Sequence, residues 1–159
     1  MSEINNIITS SNKFLYSQSE LITPVDGVNY FNDTYHLAES YNYTQTMTFD
    51  EISFNFTPSD TVRNQIAVCH VYGTITKDIA KSISFYSVNN RVSISTGRIA
   101  NTLAITANPN SNIDYFDYIW IIPQGYNQIY EFWKTHAADN NMIKASQIQV
   151  NMTFDFYCL

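Results

Sequence analysis

An alternation of apolar and polar residues near the carboxyl end constrains the fold of this chain more than any other feature. From Ile148 to Phe156 every second residue is apolar, and the residues between them are polar. A period of two places successive side chains on opposite faces of a β-strand, one facing a core and one facing water. The segment is therefore predicted to be a strand whose Met152 and Phe154 lie in the core.

A second alternating stretch covers residues 41–56, but its phase slips by one residue at Asp50 and Glu51. A β-bulge within one long strand would produce such a slip. A tight hairpin that places Phe49 opposite Ile52 would produce it as well. The sequence leaves both alternatives open.

The pair Asn89-Asn90 predicts a β-hairpin over residues 82–96. It lies between two runs of strand-forming residues, and Asn tolerates the left-handed conformation that a type I′ turn requires. Closing a two-residue turn there pairs Phe85 with Ile94 on one face, so the turn residues and the apolar pattern predict the same register.

A different spacing, between Gln128 and Ala138, predicts a short helix. Apolar residues recur there at intervals of three and four, after Asn127 as an N-cap and before Asn140-Asn141 as a stop. The apolar positions are Ile129, Phe132, Trp133 and Ala137.

Together these patterns predict an all-β fold. Further strands are expected near residues 14–16, 28–31, 66–75, 103–107 and 115–122, each bounded by turn-forming residues. Eight to ten short strands and one helix in a connection are typical of an antiparallel β-sandwich, and an eight-stranded jelly roll fits best. The 159 residues favour one sandwich domain over 13–159, preceded by a flexible N-terminal arm, residues 1–12.

The charge composition argues against nucleic-acid and membrane partners. Charged residues are 14% of the chain, against about 25% on average, so amides and hydroxyls must form the surface. The net charge is −6 and no basic run occurs, which disfavours a phosphate-binding surface.

No stretch reaches the roughly 18 apolar residues of a membrane span. No signal peptide is recognised, so synthesis in the cytoplasm of a host is expected.

The few reactive residues do not form a catalytic pattern. Cys69 and His70 are neighbours on a predicted strand, so they face opposite sides and cannot act as a nucleophile and base. Both thiols, Cys69 and Cys158, are expected to be free. Asp114 and Asp117 also face opposite ways. With four Gly residues in the chain, no phosphate-binding loop or dinucleotide fingerprint is present, and no cofactor is expected.

Asp33, His36 and Glu39 recur at intervals of three and are the candidate metal ligands of this sequence. One helical turn would bring such residues together. The flanking residues look like a polar loop, and no Cys or second nearby His completes a ligand set. No metal is therefore expected.

Aromatic residues crowd the predicted strand around residue 118. Tyr118 and Trp120 share one face with Phe116, while Tyr115 lies with isoleucines on the other. A strand that is apolar on both faces is covered on its outer side, either by another element, such as the predicted helix, or by a neighbouring subunit. Tyr115, Tyr118 and Trp120 are therefore interface candidates.

These observations favour a non-enzymatic protein that packs against copies of itself, as in a phage or viral particle, which is an analogy from fold and composition. The expected partners are other copies and other virion proteins, and the expected location is the virion. In the arm, Ile4, Ile7 and Ile8 would dock on a neighbour. A lectin-like module that binds glycans through surface Tyr and Trp beside Asn and Asp is the first alternative. A small β-sandwich enzyme is the second.

Overall fold

The computed structural model describes residues 36–47, 50–78, 83–137 and 148–158. Within these ranges the chain forms eight strands and one short helix. In chain order the elements are β1 (His36–Thr46), β2 (Glu51–Phe56), α1 (Asp60–Arg63), β3 (Ala67–Lys77), β4 (Ile83–Ile94), β5 (Gly97–Thr106), β6 (Ile113–Ile122), β7 (Ile129–Ala137) and β8 (Ile148–Cys158). The predicted arm and the strands predicted at 14–16 and 28–31 lie outside the described residues.

The strands pair as two four-stranded antiparallel sheets, in the orders β1-β8-β3-β6 and β2-β7-β4-β5. The first strand pairs with the eighth, the second with the seventh, the third with the sixth and the fourth with the fifth. The chain is thus wound like one long hairpin folded over itself, which is the strand order of a jelly roll. The predicted antiparallel sandwich is confirmed.

The core lies between the two sheets and is built from the inward residues of each strand. Met152 and Phe154 are fully buried there, as the alternation in β8 predicts. The facing sheet contributes Trp133, whose ring packs edge-on against Phe116 at a centroid distance of 4.9 Å. Large aromatic rings from both sheets therefore interdigitate in one interior.

Both interpretations of the phase slip at Asp50 and Glu51 are wrong. β1 pairs with β8 in one sheet, whereas β2 pairs with β7 in the other. The chain crosses from one sheet to the facing sheet between them, so the side that points inward reverses. That reversal shifts the apolar phase without a bulge or a tight hairpin.

The hairpin predicted at Asn89-Asn90 is also wrong, because β4 runs without a break from Ile83 to Ile94. The reversal comes later, at Ser95-Thr96, where Ile94 pairs with Gly97 of β5. Asn90 is fully buried and faces the interior.

The predicted helix over 128–138 is wrong as well, because most of this segment is strand β7. Trp133 points inward and Phe132 outward, as in any strand. Two inward positions carry the polar residues Glu131 and Thr135, both buried. Because of them, apolar and polar residues do not alternate along β7 in the sequence. The single helix among the described residues is α1, in the connection from β2 to β3.

Candidate assembly surfaces

The outer face of the β1-β8-β3-β6 sheet carries a ladder of uncharged polar side chains, here termed the amide ladder: Asn42, Thr44, Asn151 and Thr153. The Asn42 amide donates to Asn151 Oδ1 at 3.1 Å and to Thr153 Oγ1 at 2.9 Å. The Asn151 amide in turn donates to Thr44 Oγ1 at 2.8 Å. Asn42 and Thr44 are exposed, Asn151 and Thr153 are half-buried, and none of the four side chains is ionisable.

Four other side chains of the same face form the His70 cluster: His70, Tyr72, Asp117 and Asp155. His70 Nε2 lies 2.7 Å from Asp117 Oδ1, and Tyr72 stacks on the imidazole at 4.4 Å. The Tyr72 hydroxyl donates to Asp155 at 2.9 Å. Partial burial, and then this bond to Asp155, raise the pKa of Tyr72 to about 12. The cluster therefore consists of groups that bind one another.

The sequence shows the polar residues of this cluster, but it does not show that they are neighbours. His70, Asp117 and Asp155 come from β3, β6 and β8, and each is an outward polar residue in its own strand. Only the register of the three strands places them together. The Ser40 hydroxyl donates to Asp155 at 2.5 Å.

Cys69 lies on the opposite face from His70, as predicted, and both cysteines are free. Burial raises the pKa of the Cys69 thiol well above its usual range, and the nearby carboxyl groups of Glu131 and Asp155 act in the same direction. Burial likewise raises the pKa of Cys158. Neither thiol has the electropositive, accessible surroundings of a reactive cysteine.

Of the three candidate metal ligands, Asp33 lies outside the described residues, and His36 and Glu39 belong to β1. The Glu39 carboxylate accepts hydrogen bonds from Ser59 and Tyr41, and these bonds lower its pKa. Within the described ranges no group of three His, Cys, Asp or Glu side chains is placed to hold a metal ion.

The interface candidates of β6 separate into two classes. Tyr118 and Trp120 point into the core and are 3% and 0% exposed, so their rings are not available to a neighbour. Tyr115 points outward and is 75% exposed, beside Ile113 at 40%. Ile4, Ile7 and Ile8 of the arm lie outside the described residues. Among the strands that the structure describes, β6 is the last of its sheet, so Tyr115 and Ile113 lie on its edge strand.

Next to Tyr115 the surface forms a shallow depression of about 400 Å³. Tyr72 and Asp117 line it together with Tyr115. Both tryptophans of the chain, Trp120 and Trp133, are fully buried. Any stacking surface among the described residues therefore depends on tyrosine and phenylalanine rather than tryptophan.

The outer face of the β2-β7-β4-β5 sheet holds a groove of about 450 Å³. On one wall the Arg91 guanidinium lies over the Tyr130 ring, 4.9 Å from its centroid. Phe132, which is 38% exposed, is part of the lining. This face thus also presents aromatic surface, although the Arg91 guanidinium already packs on the Tyr130 ring.

Two carboxylates are buried inside the sandwich. Asp114 faces inward, opposite to Asp117, as predicted, and is 2.7 Å from Lys77 Nζ and 2.7 Å from the Tyr86 hydroxyl. The Asn108 backbone N–H donates to its second oxygen at 2.7 Å.

Glu131 is the second buried carboxylate and is 1% exposed. The Asn90 amide lies between it and the Tyr118 hydroxyl, which is 2.9 Å from Asn90, and donates to the carboxylate when its nitrogen faces Glu131. Burial raises the pKa of Glu131 well above its usual range. No Lys or Arg among the described residues forms a salt bridge with it.

No protein-family model matches this chain, and no curated protein matches it. Its backbone is similar to chains in three virus structures. The structure of infectious bursal disease virus, Gx strain, matches at a TM-score of 0.46 and 10% identity, over 76% of this chain and 32% of that one. Desmodium yellow mottle tymovirus matches at 0.35 and 12%, over 75% and 85%.

T=1 particles derived from infectious bursal virus match at a TM-score of 0.37 and 9% identity, over 76% of this chain and 38% of that one. The present chain thus spans about a third of the length of the two bursal virus chains. No helix in the described part of the chain has the length and apolarity needed to cross a membrane.

Proposed function

We propose that this protein is a structural component of a virus or phage particle and acts by binding copies of itself and other virion proteins. The observation that carries the proposal is the pair Ile113 and Tyr115, exposed on edge strand β6. An edge strand offers unpaired backbone groups, and soluble proteins usually protect such edges with charge. Beside the exposed carboxylate of Asp117, this edge strand carries the exposed apolar side chains of Ile113 and Tyr115, which suits burial against a neighbour.

The amide ladder supports the same proposal. Interfaces between proteins are depleted of charged residues at their centres, and Asn42, Thr44 and Asn151 offer neutral donors and acceptors on the outer face of the sheet. The jelly roll is compatible with this role, but it also serves lectins and cupins, so the fold does not decide the function. In this proposal the protein is not an enzyme.

The experiment measures particle size by light scattering and electron microscopy. Full-length protein should form discrete oligomers or particles, and the double variant Ile113→Ser/Tyr115→Ser should weaken self-association by about tenfold or more. Ile66→Ser is the matched control, because Ile66 is 41% exposed but lies outside the β6 edge. A protein that stays monomeric at high concentration, also with the products of its neighbouring genes, would contradict the proposal.

A second assembly element is the arm, residues 1–12. Its isoleucines Ile4, Ile7 and Ile8 are too few to fold alone but suffice to dock on a neighbour's groove or sheet edge. Removing residues 1–12 should weaken self-association and leave the circular dichroism spectrum of the sandwich unchanged. Equal association with and without the arm would remove it from the proposal.

Glycan binding is the second candidate, favoured by the depression in which Tyr115 and Tyr72 lie beside Asp117. Aromatic rings stack on apolar sugar faces, and a carboxylate accepts bonds from hydroxyls. A glycan array separates the two candidates. A monomer retained by a specific glycan, with retention lost in Tyr115→Ala, would favour the lectin-like function over assembly.

A further inference from the structure

The groove on the outer face of the β2-β7-β4-β5 sheet contains a cation without an acidic partner. The Arg91 guanidinium packs on the Tyr130 ring, but it forms no salt bridge or hydrogen bond with any residue that the structure describes. Its Nε is buried without an acceptor. An aromatic ring orients a guanidinium without using its N–H groups. Arg91 therefore still has donors for a ligand in the groove.

The charge on this face differs in sign from that of the whole chain. The net charge of the chain is −6. Among the outward residues of the four described strands, Arg91, Arg98 and Lys134 are cationic, and Glu51 is the only carboxylate. Glu51 is paired in register with Lys134, so it lies beside another cation. The face as a whole therefore favours an anionic ligand over a cationic one.

A row of side chains next to Arg91 provides groups that bind a sugar. Ser53, Phe132, Asn89 and Thr102 are directly paired across the four strands and line the groove. Phe132 is exposed, so its ring is available for stacking on the apolar face of a pyranose. The Asn89 amide donates to Thr102 Oγ1 at 3.0 Å. This bond leaves the Asn89 carbonyl and the Thr102 O–H available for sugar hydroxyls.

The positions of Arg91 and Phe132 fit the two parts of one ligand. Because Phe132 pairs with Asn89, it is the diagonal neighbour of Arg91 on the same face, and diagonal neighbours are about 7–8 Å apart. A pyranose that lies on Phe132 has a carboxylate attached to its ring within reach of the guanidinium, which binds carboxylates by two parallel hydrogen bonds. The groove of about 450 Å³ is within the range of small-ligand sites, roughly 300–1,000 Å³.

We propose that this groove binds an acidic sugar, a uronic or sialic acid residue, whose carboxylate pairs with Arg91 and whose ring stacks on Phe132. Nucleic acids are bound through several cations, whereas Arg91 is the only cation among the described residues that line the groove. This binding function is additional to the assembly role. The groove is also separate from the depression at Tyr115, which lies on the other sheet.

NMR saturation-transfer titrations of the full-length protein test the proposal. The probes are free glucuronic acid and free N-acetylneuraminic acid, and glucose is the comparison without a carboxylate. At least one of the two acids should bind about tenfold or more tightly than glucose. Arg91→Gln should remove this difference. Arg91→Lys should restore only part of it, because an ammonium group cannot form the two parallel hydrogen bonds.

Arg98→Gln is the matched control variant. It removes the same charge from the same face, but Arg98 is exposed and is not part of the groove lining. Binding of the acid should change by less than about twofold. Phe132→Ser tests the ring contact and should weaken binding of the acid about threefold or more. The circular dichroism spectrum of each variant should match that of the original chain.

Two outcomes would overturn the proposal. If neither acid binds more tightly than glucose, the groove does not recognise a carboxylate. If Arg91→Gln and Arg98→Gln weaken binding equally, the charge of the whole face is responsible and not the groove.

Light scattering on the same samples separates this proposal from assembly. Ile113→Ser/Tyr115→Ser should weaken self-association and leave binding of the acid unchanged, whereas Arg91→Gln should do the reverse. If Arg91→Gln instead abolishes self-association and leaves binding of the acid unchanged, the groove is a contact between copies of the chain and the proposal is wrong.

Discussion

Asp114 and Glu131 are both buried inside the sandwich, at 4% and 1% exposure, but their surroundings differ. Asp114 has a lysine, a tyrosine hydroxyl and a backbone N–H as partners, all at 2.7 Å. Glu131 is approached by the neutral Asn90 amide, with Tyr118 behind it. One carboxylate is compensated by a cation and the other is not.

The comparison shows two ways in which a fold accommodates a buried acid. Removing a carboxylate from water is costly unless a counter-charge and hydrogen bonds replace its hydration. Asp114 has both, in Lys77 and in the hydrogen bonds from Tyr86 and the Asn108 backbone. Glu131 lacks the cation, so the fold favours its protonated form, and its pKa is raised. The two acids are therefore expected to respond oppositely to substitution.

The largest expected effect is that of Lys77→Met. It leaves Asp114 buried without its cation, which should lower the free energy of unfolding by about 3–5 kcal/mol in urea denaturation. The double variant Lys77→Met/Asp114→Leu should recover most of this loss, because apolar residues then replace both charges. If Lys77→Met alone is neutral, the pair does not stabilise the interior.

The second prediction concerns pH and Glu131. Its folded pKa is above the ordinary 4.5, so its contribution to stability is complete below that value. That contribution is lost as pH rises toward the folded pKa, by up to about 1.4 kcal/mol per pH unit. Glu131→Gln should remove this decline and be more stable than the original chain at neutral pH. Parallel curves of unfolding free energy against pH for the two proteins would contradict this assignment.

Tyr86→Phe should have a smaller effect. The Tyr86 hydroxyl donates to the charged Asp114, and hydrogen bonds to charged groups contribute about 1.5–3 kcal/mol. The loss is measured by urea denaturation. It should vanish in the Lys77→Met/Asp114→Leu background, where the acceptor is absent.

Tyr118→Phe should have the smallest effect of the series. The Tyr118 hydroxyl donates to the neutral Asn90 amide at 2.9 Å, and such bonds contribute about 0.5–1.5 kcal/mol. Thermal unfolding of Tyr118→Phe and Tyr86→Phe side by side gives the contrast. A larger loss in Tyr118→Phe would mean that the Glu131 group depends on this hydroxyl as strongly as Asp114 depends on its partners.

The contact between Asn90 and Glu131 also explains why two sequence predictions are wrong, the hairpin at Asn89-Asn90 and the helix over 128–138. Asn90 and Glu131 are directly paired in register, on β4 and β7. Asn90 looks like a turn residue in the sequence, and Glu131 breaks the apolar alternation of its strand. Each is tolerated in the interior because the other provides a polar partner, and that partner is 41 residues away along the chain.

The candidate surfaces divide in a similar way. The aromatic strand predicts three interface candidates. Of these, Tyr115 is exposed, whereas Tyr118 and Trp120 lie in the core. The alternation divides the side chains of β6 between two faces, but it does not show which face packs against the other sheet. The His70 cluster was not predicted, because its members become neighbours only through the register of β3, β6 and β8.

By itself, the sequence determined the strands in which every inward residue is apolar, such as β8, and with them the all-β class and the sandwich. The period of two is a local property, so it needs no partner to be recognised. The tertiary structure alone decided that β4 continues through Asn90, that residues 129–137 form a strand, and that the chain crosses between sheets after β1. In the first two cases the local preference was overruled by a partner distant in sequence, because a buried amide or carboxylate is stable only where another strand provides its hydrogen bonds. The crossing follows from pairing with distant strands, β1 with β8 and β2 with β7.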